Sequence, residues 1–166
     1  MESFAIPGVA GIIEKSFNGI DYILVQDRCK DNTPMESGLI EIPAGKIREY
    51  ENVFDCLRRE VKEETGLDII EIEGEAESRI CEISGYKVLN YIPFNCSQNV
   101  DGYYPIMVQV FLCKVNGELL EKTAESANIR WISLRELSLI LKNNENCFYP
   151  MHIYTLKKYL NMKNFS

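Results

Sequence analysis

Apolar positions along this chain follow two periods, and the switch between them marks the elements. A short apolar run at 9–13 has the length of a strand buried on both faces. Asn18-Gly19 behind it is the strongest short-range hairpin signal, and 22–25 reads as the return strand. Asp31-Asn32-Thr33-Pro34 is loop chemistry. A strand at 39–42 is ended by Pro43-Ala44-Gly45. Over 53–65 the period lengthens. Phe54, Leu57 and Val61 stand at i, i+3 and i+7, which predicts a helix, and Gly66 stands where a left-handed terminating residue belongs. Strand-like segments return at 69–72, 87–92 and 106–115, with Asn116-Gly117 as a turn, and again at 130–132. Ser133 and Glu136 form a capping box for a helix over 133–141, and 151–162 reads as an amphipathic helix. Two or three helices and roughly six strands predict an α/β or α+β sandwich.

Composition narrows the picture. The 166 residues fit one domain, 1–166, with no repeats or linker-like stretches. A chain of this length buries roughly 70% of its unfolded surface and folds without a disulfide or metal staple. Acids outnumber bases 25 to 18, for a net charge of −7. That argues against nucleic acid or an anionic membrane as partner, since both require a basic surface. It leaves room for a phosphate-bearing small molecule, because a bound divalent cation inverts the local charge. Cys29, Cys56, Cys81, Cys96, Cys113 and Cys147 form no CxxC pair, so reduced, mostly buried thiols are expected. The N-terminus lacks the basic segment of a signal peptide, and no apolar run approaches the ~18 residues of a membrane span. A cytoplasmic protein is expected.

The candidate chemistry lies on the helix at 53–65. Glu60, Glu63 and Glu64 are spaced i, i+3, i+4, so three carboxylates share one face beside the apolar stripe. Like charges at that spacing repel, and partial burial raises the cost. Hard oxygen donors on one rigid face suit Mg²⁺ or Mn²⁺, which take their remaining ligands from water and phosphates. Arg59 and Glu51 are placed to tie the preceding loop to the helix as a charge-assisted pair, and Gly45 fits a backbone bend. An acidic helix face alone is usually a solvated face.

The whole stretch 45–67 says more. Gly45, Glu51, Arg59, Glu60, Val61, Glu63, Glu64, Gly66 and Leu67 fill every defined position of the box G-x5-E-x7-R-E-U-x-E-E-x-G-U, with U aliphatic. At background residue frequencies an accidental match is on the order of one in a hundred million. The chain resembles the Nudix hydrolases. The resemblance implies an α/β/α sandwich around a central mixed β-sheet. It implies Mg²⁺- or Mn²⁺-dependent hydrolysis of a nucleoside diphosphate linked to another moiety. By position, Glu60 and Glu64 match metal ligands, and Glu63 matches a further ligand or a residue that positions water. The Ala44 carbonyl matches a backbone ligand, Gly45 opens the box, and Glu51 and Arg59 match a supporting ion pair. An additional acid before the late tryptophan strand is expected at Glu125, six residues ahead of Trp131, with Glu121 as runner-up. Glu63 or Glu125 is then expected to take the proton from the attacking water. No covalent intermediate is required, so the cysteines and His152 need no catalytic role.

For the substrate, Pro43-Ala44-Gly45 resembles the form common in ADP-ribose and nucleotide-sugar pyrophosphatases. The MutT-like triphosphatases more often carry Pro-Gly-Gly, and a (d)NTP pyrophosphohydrolase is the alternative. The proline that ADP-ribose enzymes tend to carry beyond the box has no counterpart, the next one here being Pro93. Phe94, Tyr103 and Tyr104 are candidates to stack on a base, and Arg28 to meet a phosphate or base. A fold-sharing isomerase is disfavoured by the intact box. A non-hydrolysing nucleotide sensor is disfavoured by the retained glutamates. The apolar faces of the terminal helices allow a homodimer.

Overall fold

The computed structural model describes residues 2–29 and 34–165. Its elements run β1 (Ile6–Phe17), β2 (Ile20–Arg28), a 3₁₀ turn (Pro34–Glu36), β3 (Ile40–Glu41), β4 (Ala44–Lys46), α1 (Val53–Thr65), β5 (Asp68–Ile72), β6 (Arg79–Ile83), β7 (Tyr86–Asn90), β8 (Asn95–Gln98), β9 (Ile106–Asn116), β10 (Ser126–Ser133), α2 (Leu134–Asn144) and α3 (Pro150–Met162). Of the loop expected at 31–34, residues 31–33 lie outside the described residues.

The main sheet has the order β10-β2-β1-β9-β5. β1 runs parallel to β9, from Ile6 opposite Ile106 to Glu14 opposite Lys114, and the other pairings are antiparallel. The sheet is therefore mixed. Asn18 and Gly19, at φ 50° and 75°, make the tight β1–β2 turn, a conformation that asparagine tolerates and that glycine, lacking a Cβ, adopts freely.

The placement of the site depends on what happens beyond that turn. β1 and β2 pair only from Glu14/Ile23 to Phe17/Ile20 and then part. Residues 40–46 occupy the opening. β3 pairs with β2, Glu41 opposite Gln26, and β4 pairs with β1, Ala44 opposite Ala10. Between them the Pro43 carbonyl accepts the Gly11 N–H at 2.9 Å. Pro43-Ala44-Gly45 thus does not simply end a strand: after Pro43 the chain enters a second one. Ala44–Lys46 carries no apolar alternation of its own, and the parted backbones on either side make it a strand.

Two apolar layers close the sandwich. On one face Ala10, Ile12, Ile23, Val25, Val110 and Ile132 pack against Leu137, Leu156 and Tyr159 of α2 and α3. On the other, Val9, Ile13, Leu24 and Phe111 pack against Phe54, Leu57 and Val61 of α1. Each fully buried aliphatic or aromatic side chain contributes about 1.5–3 kcal/mol. The architecture is an α/β sandwich, as expected. The helix predicted over 53–65 is α1 itself, and the helix predicted from Ser133 begins there, its hydroxyl accepting the Glu136 N–H at 3.1 Å. β6 and β8 lie in stretches where periodicity gave no strand. β6 and β7 form a separate two-stranded hairpin whose residues are nearly all exposed. Among the described residues no helix is long and apolar enough to cross a membrane.

Candidate active site on helix α1

α1 is fixed at both ends by local chemistry. The Asn52 side chain accepts the Phe54 N–H at 2.8 Å, and Gly66 ends the helix at φ 80°, its N–H donating to the Lys62 carbonyl. Between them Glu60, Glu63 and Glu64 share a face at graded depth: Glu64 is buried, Glu60 half-buried, Glu63 exposed.

The N-terminal half of the face is organised by Arg59. Its Nε and Nη2 donate to the two oxygens of Glu51 at 2.7 and 2.8 Å, which ties the entry loop to the helix. Nη1 donates to Glu60 Oε1 at 2.5 Å and to Glu63 Oε2 at 3.3 Å, and Nη2 also reaches the Lys46 carbonyl at 3.2 Å. The Arg59 bond holds the Glu51 carboxyl down at about 2, against the opposing effect of burial. Arg59 is raised in turn, chiefly by Glu51. Gly45 lies directly under Glu60, where a Cβ would sit 1.9 Å from Glu60 Cδ. Only a glycine lets β4 approach this closely without displacing the carboxylate.

The other end of the face is organised by strands. Glu64 Oε2 accepts the Ala44 N–H at 3.0 Å and Gln26 Nε2 at 2.9 Å. Gln26 Nε2 also lies 3.4 Å from Glu41 Oε1. Arg28 Nη1 meets Glu41 Oε2 at 2.8 Å, Nη2 meets Glu36 at 2.9 Å, and the guanidinium lies 4.4 Å over the Tyr149 ring. His152 is buried beside this chain of polar groups, and its Nδ1 accepts the Ile42 N–H at 3.3 Å. Burial first, and Arg28 second, push its pKa down to about 3, so the imidazole is neutral.

Residues 6–151 match the family model described as the NUDIX domain. The chain belongs to the NUDIX family. No curated protein matches its sequence. Solved structures resemble it in fold. The MutT protein from Methanosarcina mazei Go1 has a TM-score of 0.61 at 20% identity, covering 100% of this chain and 99% of that one. The E. coli ORF135 protein gives 0.61 at 22%, covering 96% and 91%. A C. elegans Ap4A hydrolase, in a binary complex, gives 0.57 at 18%, covering 96% and 98%.

The NUDIX family generally uses divalent metals, and the donors fit such an ion by charge and chemistry. Three hard carboxylates share a rigid face, and β4 is pressed against them at Gly45. Among the described residues no three acidic, histidine or cysteine side chains are arranged so as to hold a metal ion. Arg59 spans Glu60 and Glu63 while Gln26 and Ala44 hold Glu64. Ala44 was expected to contribute its carbonyl, and the contact formed here is through its N–H.

The remaining candidates of this NUDIX domain fall in different places. Glu125 is exposed just before β10, its carbonyl accepting the Cys29 N–H at 3.0 Å, and Glu121 is exposed earlier in the same loop. Arg28, expected to meet a phosphate or base, is instead committed to Glu36 and Glu41 and is only 9% exposed. Phe94 packs against the α2–α3 core, with Lys158 Nζ 4.6 Å over its ring, on the layer opposite α1. Tyr103 is exposed. Tyr104 alone of the aromatic candidates is brought to the box: Lys46 Nζ, next to Gly45, lies 4.9 Å from its ring centroid. Gln26 and Glu41 were not anticipated. The one available signal was a polar residue next to apolar ones in a strand, Gln26 after Val25 and Glu41 between Ile40 and Ile42.

Proposed function

We infer that this chain is a pyrophosphohydrolase that cleaves the pyrophosphate bond of a nucleoside diphosphate linked to another moiety. The observation that carries the reading is the packing of the Ala44–Gly45 edge against Glu60 and Glu64 on a helix face that also holds Glu63. Glu60, Glu63, Glu64 and the Ala44 carbonyl would hold Mg²⁺ or Mn²⁺, which would supply neutralisation of phosphate charge and a more acidic water. The chain's own groups do the rest. Arg59 and Glu51 orient Glu60 and Glu63. Glu63 or Glu125 accepts the proton of the attacking water, a role worth roughly 10²–10⁴-fold. Lys46, beside Gly45, offers a positive charge to the phosphates, and Tyr104 an aromatic face to the nucleoside.

Ala44, in place of the glycine more usual in triphosphatases, favours ADP-ribose or a nucleotide sugar. The net charge of −7 supports a small-molecule substrate over nucleic acid or a membrane surface. Six free cysteines suit a reducing compartment, and the cytoplasm is the proposed location.

One panel tests the substrate. ADP-ribose, nucleotide sugars, dinucleotide polyphosphates, NADH, CoA and the (d)NTPs are compared in Mg²⁺ and in Mn²⁺, scored by phosphate product. Preferred turnover of ADP-ribose or a nucleotide sugar is expected. Dominant release of pyrophosphate from (d)NTPs overturns the substrate assignment. Tight nucleotide binding with no hydrolysis in either metal overturns the enzyme.

A further inference from the structure

Gln26 is fully buried in β2, directly across from Glu41 of β3. Its amide nitrogen reaches two carboxylates, Glu64 Oε2 at 2.9 Å and Glu41 Oε1 at 3.4 Å. Ionised carboxylates only accept hydrogen bonds, so the nitrogen must face them. That orientation leaves Gln26 Oε1 buried, with no hydrogen-bond partner among the described residues. A buried amide with an idle carbonyl is costly, and a methionine or leucine in its place would avoid that cost. What the glutamine offers in return is a donor to two buried carboxylates. Of those two, Glu41 is already met by Arg28 at 2.8 Å and lies farther from the amide, at 3.4 Å. The shorter bond, to Glu64, is what remains.

We propose that Gln26 is a positioning residue for Glu64. Its amide from β2 and the Ala44 N–H from β4 converge on the same oxygen, Glu64 Oε2. Two donors on two different strands fix where that oxygen lies, and with it the direction in which the carboxylate faces a divalent ion. The inference rests on the reading of Glu64 as a metal ligand. Groups that orient a ligand in this way are worth about 10–100-fold in metal affinity.

The test is Mn²⁺ titration of the full chain without substrate, read by electron paramagnetic resonance of the free ion, beside thermal unfolding. Gln26→Met keeps the volume and removes both N–H donors. Gln26→Asn keeps the amide and withdraws it by one methylene. Both are expected to weaken Mn²⁺ binding about 10–100-fold. Val25→Ala, on the same strand but in the opposite core, is expected to lower the melting temperature and leave Mn²⁺ affinity unchanged. Glu64→Gln separates the two readings. If it binds Mn²⁺ as wild type does, the metal-ligand reading fails and this one with it. If Glu64→Gln loses Mn²⁺ while a folded Gln26 variant keeps wild-type affinity, only the role of Gln26 is overturned. Loss of fold in both Gln26 variants also overturns it, since Gln26 is then structural.

Discussion

Glu60 lies across Gly45 so closely that no side chain at position 45 leaves it in place. A Cβ there would sit 1.9 Å from Glu60 Cδ and 2.2 Å from Oε2. The obstructing atoms belong to a flexible side chain, so Gly45→Ala is expected to move Glu60 rather than unfold the protein. A displacement of about 1 Å at a reacting centre costs roughly 100-fold in rate. Metal-saturated turnover measured beside the melting temperature checks this, with a large fall in the first and little change in the second.

Glu51 and Arg59 make the box sensitive to acid. The Arg59 bond lowers the Glu51 carboxyl from its ordinary 4.5 to about 2 in the folded chain. A depressed folded pKa means stability that is complete above the unfolded value and lost as pH falls through the folded one. Glu51→Gln is therefore expected to cost about 1.5–3 kcal/mol at neutral pH, the range for hydrogen bonds to charged groups. The gap from wild type narrows between pH 4.5 and about 2. Urea denaturation over that range measures it.

His152 adds a second dependence on pH. It is neutral when folded, with its pKa pushed to about 3 by burial and by Arg28, and it titrates near 6.5 when unfolded. The unfolded chain binds the extra proton between those values, so stability is full above 6.5 and declines toward 3. His152→Gln, which retains an acceptor for the Ile42 N–H, is expected to remove about 1.4 kcal/mol per pH unit from the slope. The window from pH 6 to 5, clear of the Glu51 titration, reads it by urea midpoints.

The thiols sort by depth. Cys81 and Cys96 are exposed, Cys29 and Cys147 partly covered, Cys56 and Cys113 buried. Burial raises Cys56 to about 12 and raises Cys113 as well. A disulfide reagent at pH 8 is expected to titrate two thiols quickly and two slowly. The last two react only on unfolding, because the thiolate is the reacting form. Fast reaction of all six in the folded chain contradicts the packing of α1.

Legibility in the sequence followed burial. The stripe Phe54, Leu57, Val61 and the stop at Gly66 define α1 because one side of it meets the core and its end needs a positive φ. β4 left no pattern, because Ala44–Lys46 is a strand only where β1 and β2 part to admit it. β6 escaped because its residues are exposed, so no alternation was imposed on it, and β8 because its half-buried positions are the polar Asn95 and Ser97. At the site, the three glutamates and the Glu51–Arg59 pair were readable because one helix and its entry loop carry them at fixed spacing. Gln26 and Glu41 were not, since only the pairing of β2 with β3 sets them opposite each other and toward α1. Arg28 reads as an available cation in sequence and is spent on Glu36 and Glu41 in space.

Metal-dependent hydrolysis is proposed to depend on both Glu60 and Glu64. The most direct measurement is Mg²⁺-dependent turnover of the best substrate in the panel by wild type, Glu60→Gln and Glu64→Gln. Each replacement keeps size and one acceptor oxygen while removing a charge. A fall of more than about 100-fold in both variants, with the fold intact, is the predicted result. Near wild-type turnover by either one contradicts the account.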